Sequence, residues 1–329
     1  MYRLLLTLAV LSIVFPSATH VSAQEVVCLH RTLPFNVEDA NGIQIHGLKP
    51  ADFQAKSRSG LVKILSILPD ERPHRIVMLL DASASMAPKW KRALVTASAL
   101  AEAKLPNTEL ALLIFGDKTY EQISFSEGQR AVAERLRQLC ANTKDLGNLL
   151  HGKTALYDSL VAGLQLLGTS TSADILYLVS DGADTASHAK FDQVAHRLTS
   201  SEARLFVSLV LDANWGISAT SDSLGAHRTP NPEEIDGPRD LEALVRKTGG
   251  ETIVPFNSRP HFRPEKMEQI KAALDDFHQS MIRSYLLEVD LPGLPDKKGT
   301  WELKPSNENK ERWKNVRVTY PEELEPCAP

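Results

Sequence analysis

The chain has 329 residues, with 37 Lys and Arg against 41 Asp and Glu and a formal net charge of −4. Its isoelectric point is near 6.2. That length leaves room for one large domain or two ordinary ones with an ample core. The slight acidity argues against a nucleic-acid or anionic-membrane partner, since either favours a basic face. The sequence has no His-Glu-x-x-His zinc motif, no Cys-x-x-Cys pair and no Gly-x-Ser-x-Gly elbow, which removes the commonest signatures of zinc and serine hydrolases.

In chain order, Arg3 precedes the apolar run Leu4 to Phe15, and Val21-Ser22-Ala23 supplies the small residues of a signal-peptidase site. The run is too short to span a membrane, so residues 1–23 read as a secretory signal cleaved near Ala23. A buried N-terminal strand is the alternative. No later stretch is long and apolar enough to act as an anchor, so a secreted or periplasmic chain is expected. Of the three cysteines, Cys140 shares a helical face with Val132, Leu136 and Leu139 and reads as a buried thiol. Cys28 and Cys327 are left as a candidate disulfide if the two ends meet in an oxidising compartment.

Residues 24–73 read as a small antiparallel β segment. Leu33, Phe35 and Val37 alternate with Pro34, Asn36 and Glu38, the turn Asp39 to Gly42 follows, and Ile43-Gln44-Ile45 resumes the alternation. These strands are too few to stand alone comfortably. Further short β-like runs occur at Tyr285 to Val289, Trp301 to Leu303 and Val316 to Tyr320. The expectation is a β-rich domain built from residues 24–73 and 282–329, with residues 74–281 inserted; two separate appendages are the alternative.

Between these ends, apolar strands alternate with helical periods. The runs Ile76 to Leu80, Leu110 to Phe115, Ile175 to Val179 and Leu205 to Leu211 lack polar alternation, as strands covered on both faces do. A short edge segment lies near Tyr120 to Phe125. Helical spacing follows Pro88, runs through Cys140, starts again at Leu156, and returns around Leu241 to Lys247 and Pro264 to Met281. The fold class is therefore α/β: a doubly wound, mainly parallel sheet flanked by helices. Lys89, Lys91 and Arg92 read as a solvated helix face, and His188 and His196 as residues on a solvated helix.

The oxygen-rich stretch Asp81-Ala82-Ser83-Ala84-Ser85-Met86 directly follows the first buried strand. Loops at the carboxyl ends of parallel strands are where ligands bind in such sheets. One carboxylate and two hydroxyls at alternate positions suit a hard cation such as magnesium, but three oxygens are too few. Asp181 ends another buried strand in Ser180-Asp181-Gly182, and Thr154 begins a helix in Gly152-x-Thr154-Ala155-Leu156-Tyr157-Asp158. Together these three segments resemble the metal-ion-dependent adhesion site of von Willebrand factor type A domains, over roughly residues 74–281. The flanking β segments, with Gly47 to Phe53 ahead of the domain, further resemble secreted bacterial von Willebrand factor A-related proteins of the acidobacterial type. Ala84 stands where that family often has glycine.

The resemblance implies that Ser83, Ser85 and Thr154 bind a divalent ion through hydroxyls, with Asp81 and Asp181 near it directly or through water. Mg2+ is the expected ion, with Mn2+ or Ca2+ as substitutes. A site of this kind keeps an open position for an Asp or Glu carboxylate from a protein partner. The expected function is thus cation-dependent protein binding without catalysis, by a monomer. Asp158 and Asp184 read as helix-capping or supporting acids. The plainer reading of Asp81 and Asp181 is that each caps the following helix.

Three competitors remain. Gly147 to Thr154 matches a phosphate-loop pattern, but Ala141 to Leu146 is no strand and Leu149-Leu150 is a poor phosphate cradle. A metal-assisted hydrolase could use the same open position for water. A structural module would leave the site empty. The loop Asp212 to Gly237, with Trp215, Glu233 and Glu234, follows a sheet strand and is the candidate for partner selectivity, an ordinary exposed insertion being its alternative.

Overall fold

The structure is a computed structural model that describes residues 30–40, 42–58, 60–142, 149–211, 232–256, 264–291, 299–306 and 312–324. In chain order its elements are strands β1 (His30–Glu38), β2 (Phe53–Ser57), β3 (Gly60–Pro69) and β4 (His74–Asp81), then helix α1 (Trp90–Glu102). Strands β5 (Thr108–Phe115) and β6 (Thr119–Ile123) precede helices α2 (Gly128–Ala141) and α3 (Leu156–Leu167). Next come β7 (Ile175–Ser180), α4 (Phe191–Ser201), β8 (Arg204–Leu209), α5 (Pro232–Thr248), β9 (Thr252–Ile253) and α6 (Pro264–Ile282). Strands β10 (Tyr285–Asp290), β11 (Gly299–Pro305), β12 (Arg317–Thr319) and β13 (Glu323–Leu324) end the described chain.

Six strands form one sheet in the order β6-β5-β4-β7-β8-β9. Only the edge pairing of β5 with β6 is antiparallel; the others are parallel. Ile76, Met78 and Leu80 of β4 join a core with Leu94 and Leu100 of α1, Leu136 of α2 and Phe277 and Met281 of α6. The alternating Val77 and Leu79 face the opposite core, with Leu160 of α3, Leu198 of α4 and Leu244 of α5. Both faces of β4 are therefore covered, which is why its sequence is apolar without a break. The chain leaves β4 on one side for β5 and returns on the other side for β7, so a topological switch point lies between β4 and β7. In an open α/β sheet, the crevice above that point is where ligands bind.

The second sheet is antiparallel, with seven strands in the order β12-β1-β10-β3-β2-β11-β13. Strands on either side of the central α/β unit thus pair directly, as Leu33 with Leu287 and Trp301 with Ser57 do. The inner face gathers Phe35, Val37, Phe53, Leu287, Val289, Trp301 and Trp313. Two sets of polar contacts tie the sheets together. Asp70, whose backbone N–H donates to Ser284 O at 2.9 Å, accepts from Arg72 through both carboxylate oxygens, and Arg72 also donates to Ser172 Oγ at 3.1 Å, just ahead of β7. Arg317 of β12 pairs with Glu38 and lies 3.4 Å from Glu251, which also accepts from Thr319.

Three local expectations are corrected. Ile43 to Ile45 does not form a strand: Gln44 makes one bridge to Glu38, and Ile43 is exposed. Cys140 is exposed and unpaired, because it follows Leu139 on the helix and turns away from the face that carries Val132, Leu136 and Leu139 into the core. His188 lies ahead of α4, with its ring Nδ1 3.0 Å from Asp158, while His196 is on that helix. Cys28 and Cys327 lie outside the described residues, as does the leader.

Behind the sheet, His278 of α6 is fully buried, with Nε2 3.0 Å from the Tyr177 hydroxyl, which lies 2.7 Å from Ser208 Oγ. Burial pushes the His278 imidazole down to about 3 from its ordinary 6.5. The unfolded chain takes up this proton first, so stability from this group is intact above about pH 6.5 and is lost as the pH falls from there towards 3. The expected loss is on the order of a few kcal/mol. His278→Phe should flatten the acid limb of a urea-midpoint profile over that window, and an unchanged limb would assign the loss to other groups.

Candidate metal centre

The three motif segments arrive together at the carboxyl edge of the parallel sheet. Leu80 pairs with Val179 in the β4–β7 ladder, so the next residues, Asp81 and Ser180, sit side by side. Ser180 Oγ donates to Asp81 Oδ2 at 2.6 Å, and Ser83 N–H donates to Asp81 Oδ1 at 2.9 Å. Asp181 follows at once, its Oδ1 accepting from Ala183 N–H at 3.2 Å. Each aspartate thus closes its own loop through the amide two residues on, an Asx-type turn, which is what survives of the capping alternative.

Backbone bonds then join the loops to one another. Ala84 N–H reaches Gly152 O at 3.3 Å, and Ala155 N–H reaches Gly116 O at 2.7 Å. Thr154 O accepts from Thr185 and Ala186 N–H at 2.8 and 2.9 Å, and Thr154 N–H donates to Thr185 Oγ1 at 3.0 Å. Asp184 Oδ1 accepts from Leu156 N–H at 2.9 Å and so caps α3. Asp158 holds the His188 and Ala189 amides at 2.9 Å. Both acids therefore hold the loops and helix ends around the candidate ligands.

Asp81, Ser83, Thr154 and Asp181 are all buried, while Ser85 is exposed at the mouth. Ser83 Oγ and Ser85 Oγ lie 3.1 Å apart. Burial, and then the negative charge of Asp181, push the Asp81 carboxyl well above the ordinary carboxylate range, against hydrogen bonds from Ser180 and Ser83. Two neighbouring buried carboxylates call for a countercharge. The donors here are carboxylates and hydroxyls, with no thiol or imidazole among the predicted ligands, which is the chemistry of a hard divalent ion. Among the described residues no group of three or more His, Cys, Asp or Glu forms a metal cluster; hydroxyls make up the remainder of this set.

Two cations that read as solvated from sequence are buried instead. Lys89 closes the short 3-10 turn Ala84–Lys89 that carries Ser85 and Met86, and its Nζ donates to Asp181 Oδ2 at 2.8 Å. Arg92 donates to Leu211 O at 2.8 Å. Buried Met86 and Trp90 hold the turn against the sheet, and this aims the lysine inward. Sequence offered one hint only: Lys89 stands within one turn of the oxygen-rich loop.

The side chains of the other expected residues lie outside what the structure describes. Trp215 lies outside the described residues. Glu233 and Glu234 fall in the first turn of α5, where their side chains are outside the described set. The phosphate-loop alternative loses support, because Leu149 is packed into the core that carries α1 and α2.

The fold and site define a doubly wound α/β domain with an oxygen-lined centre at its switch point. The family described as VWA domain containing CoxE-like protein matches residues 55–221, just over half of the chain. The chain therefore belongs to the von Willebrand factor A domain family. No curated protein matches it. It is similar to the solved von Willebrand factor type A protein from Catenulispora acidiphila, with 12% identity, 90% of this chain and 73% of that one covered, and a TM-score of 0.41. It is also similar to a manganese-loaded Plasmodium vivax TRAP protein, at 15% identity, 84% and 100% coverage and a TM-score of 0.39. A third neighbour is the conserved hypothetical protein BatB from Bacteroides thetaiotaomicron, at 11% identity, 64% and 98% coverage and a TM-score of 0.41.

Ser180 supports the centre twice over, since its Oγ also accepts from Gly182 N–H at 3.0 Å. Ser180→Ala should lower unfolding stability by about 1.5–3 kcal/mol, the range for hydrogen bonds to a buried charged group. Chemical denaturation measures it; a loss below about 0.5 kcal/mol would mean that Asp81 is held without Ser180.

Proposed function

We propose that this chain is an exported, non-enzymatic protein-binding module that captures an Asp or Glu side chain of a partner through a divalent cation. Asp81, Ser83, Ser85, Thr154 and Asp181 would hold the ion. The single observation that carries this reading is the joining of the three loops by backbone bonds, which places two carboxylates and three hydroxyl-bearing residues on one edge of the sheet. Two carboxylates balance the charge of a divalent ion and hydroxyls add none, so the bound ion keeps the Lewis acidity to attract one more carboxylate. The apolar leader pattern of residues 1–23 supports export.

The residues of this chain contribute position and charge. Ser180 and the Ser83 amide fix the Asp81 carboxylate, the Ala183 amide fixes that of Asp181, and Ser85 stands at the exposed mouth where a partner would approach. The family to which the chain belongs is consistent with such a module.

The test is thermal melting with manganese, magnesium or chelator, on the wild type and on Asp181→Ala. Manganese at a hundredfold excess over its dissociation constant should stabilise the wild type by about 2.7 kcal/mol, about 4 °C for a chain of this size. Chelator should reverse the shift, and the variant should show none. Equal melting of the wild type in all three conditions would falsify the metal reading and leave a structural module.

A further inference from the structure

We infer that the Lys89 ammonium is a built-in counter-ion of the acidic cradle, which an entering divalent cation must displace, so that Lys89 sets the metal affinity of the site. The inference rests on the cation reading proposed above and deepens it. Nζ lies 2.8 Å from Asp181 Oδ2, and the two side chains are only 9% and 8% exposed. This is far from the solvated surface pair that a lysine near an aspartate usually makes. Asp81, beside Asp181, has its two oxygens held by Ser180 and Ser83, and the ammonium brings a cationic charge to this pair of carboxylates.

Charge counting then gives the consequence. With Lys89 in place, the two carboxylates and the ammonium sum to one negative charge. A divalent ion added to that set leaves one positive charge in excess in a buried site, where an uncompensated ion is strongly disfavoured. The ion enters readily only if the ammonium leaves. The backbone at Lys89 is pinned by buried Met86 on one side and Trp90 on the other, so the movable part is the four-carbon side chain, which can swing towards solvent past exposed Ala87 and Pro88. Met in place of Lys89 fills a similar volume without the charge and leaves Asp181 in want of a cation.

The experiment is calorimetric titration of manganese into the wild type, Lys89→Met and Lys89→Gln, with circular dichroism to confirm folding. The expected result is a dissociation constant at least tenfold lower in both variants, together with a larger manganese-induced rise in melting temperature. Equal constants in wild type and variants would overturn the role of Lys89 while leaving the metal site intact. Absence of binding in all three would overturn both readings together. A second measurement needs no variant: acylation of lysine amines, read residue by residue by mass spectrometry. Saturating manganese should raise labelling at Lys89 and leave Lys91 unchanged, and labelling of Lys89 that does not respond would sink the displacement.

Discussion

Two like charges set side by side at the ends of neighbouring strands govern the construction of this protein. The parallel register of β4 with β7 leaves Asp81 beside Ser180 and Asp181, and both carboxylates are buried. Isolated ionised carboxylates in such surroundings would be penalised by several kcal/mol each even after relaxation. The local sequence answers that penalty group by group. Small residues follow each aspartate so that the chain can turn back and present an amide, Ser180 contributes a hydroxyl, and Lys89 contributes a charge. Any ligand the site takes must fit the same electrostatic demand.

The rest of the α/β unit keeps that pair in place. Helices on both faces make β4 inaccessible from either side, and close backbone contacts leave little freedom above it. Gly237 of α5 is one such contact: a Cβ there would stand 2.1 Å from Gly182 O, so only glycine lets α5 pack directly on the turn that follows Asp181. Pro238 touches the same turn. A partner that bears on α5 would therefore push against the Asp181 loop through rigid contacts.

The parts of this arrangement that were legible in the sequence are those encoded by neighbours in the chain. Continuous apolar runs marked β4, β5, β7 and β8 because burial on both faces removes polar alternation. The oxygen-bearing motif segments could be picked out because their residues stand at regular spacing just after buried strands, and the structure brings those segments together at one sheet edge. Lys89 and Arg92 were not, since a cation on a helical period looks the same whether it meets water or a buried carboxylate from β7. Glu38 and Asn36 show the same limit. They alternate with core residues along β1, yet both are buried: Asn36 donates to Glu38, and Arg317 reaches Glu38 from the far end of the chain. Cys140 failed in the opposite sense, its thiol being placed one step around the helix from the buried stripe.

The second sheet bears on function through the end of β4 that it occupies. The ties through Asp70, Arg72 and Ser284 sit just ahead of His74, where β4 begins. The eight-residue strand β4 carries the chain from that end to Asp81, about 23 Å at the usual rise of a β-strand. Strands from both ends of the chain are thus gathered beneath the parallel sheet, at the opposite pole from the three joined loops. Closing the chain on itself there stiffens the base of β4 without covering its carboxyl end, where Ser85 faces solvent. The second sheet reaches the centre along two routes, through the length of β4 and through α5, where Lys247 pairs with Glu323 and Glu322 N–H donates to Arg246 O at 3.1 Å, and α5 in turn packs on the turn after Asp181.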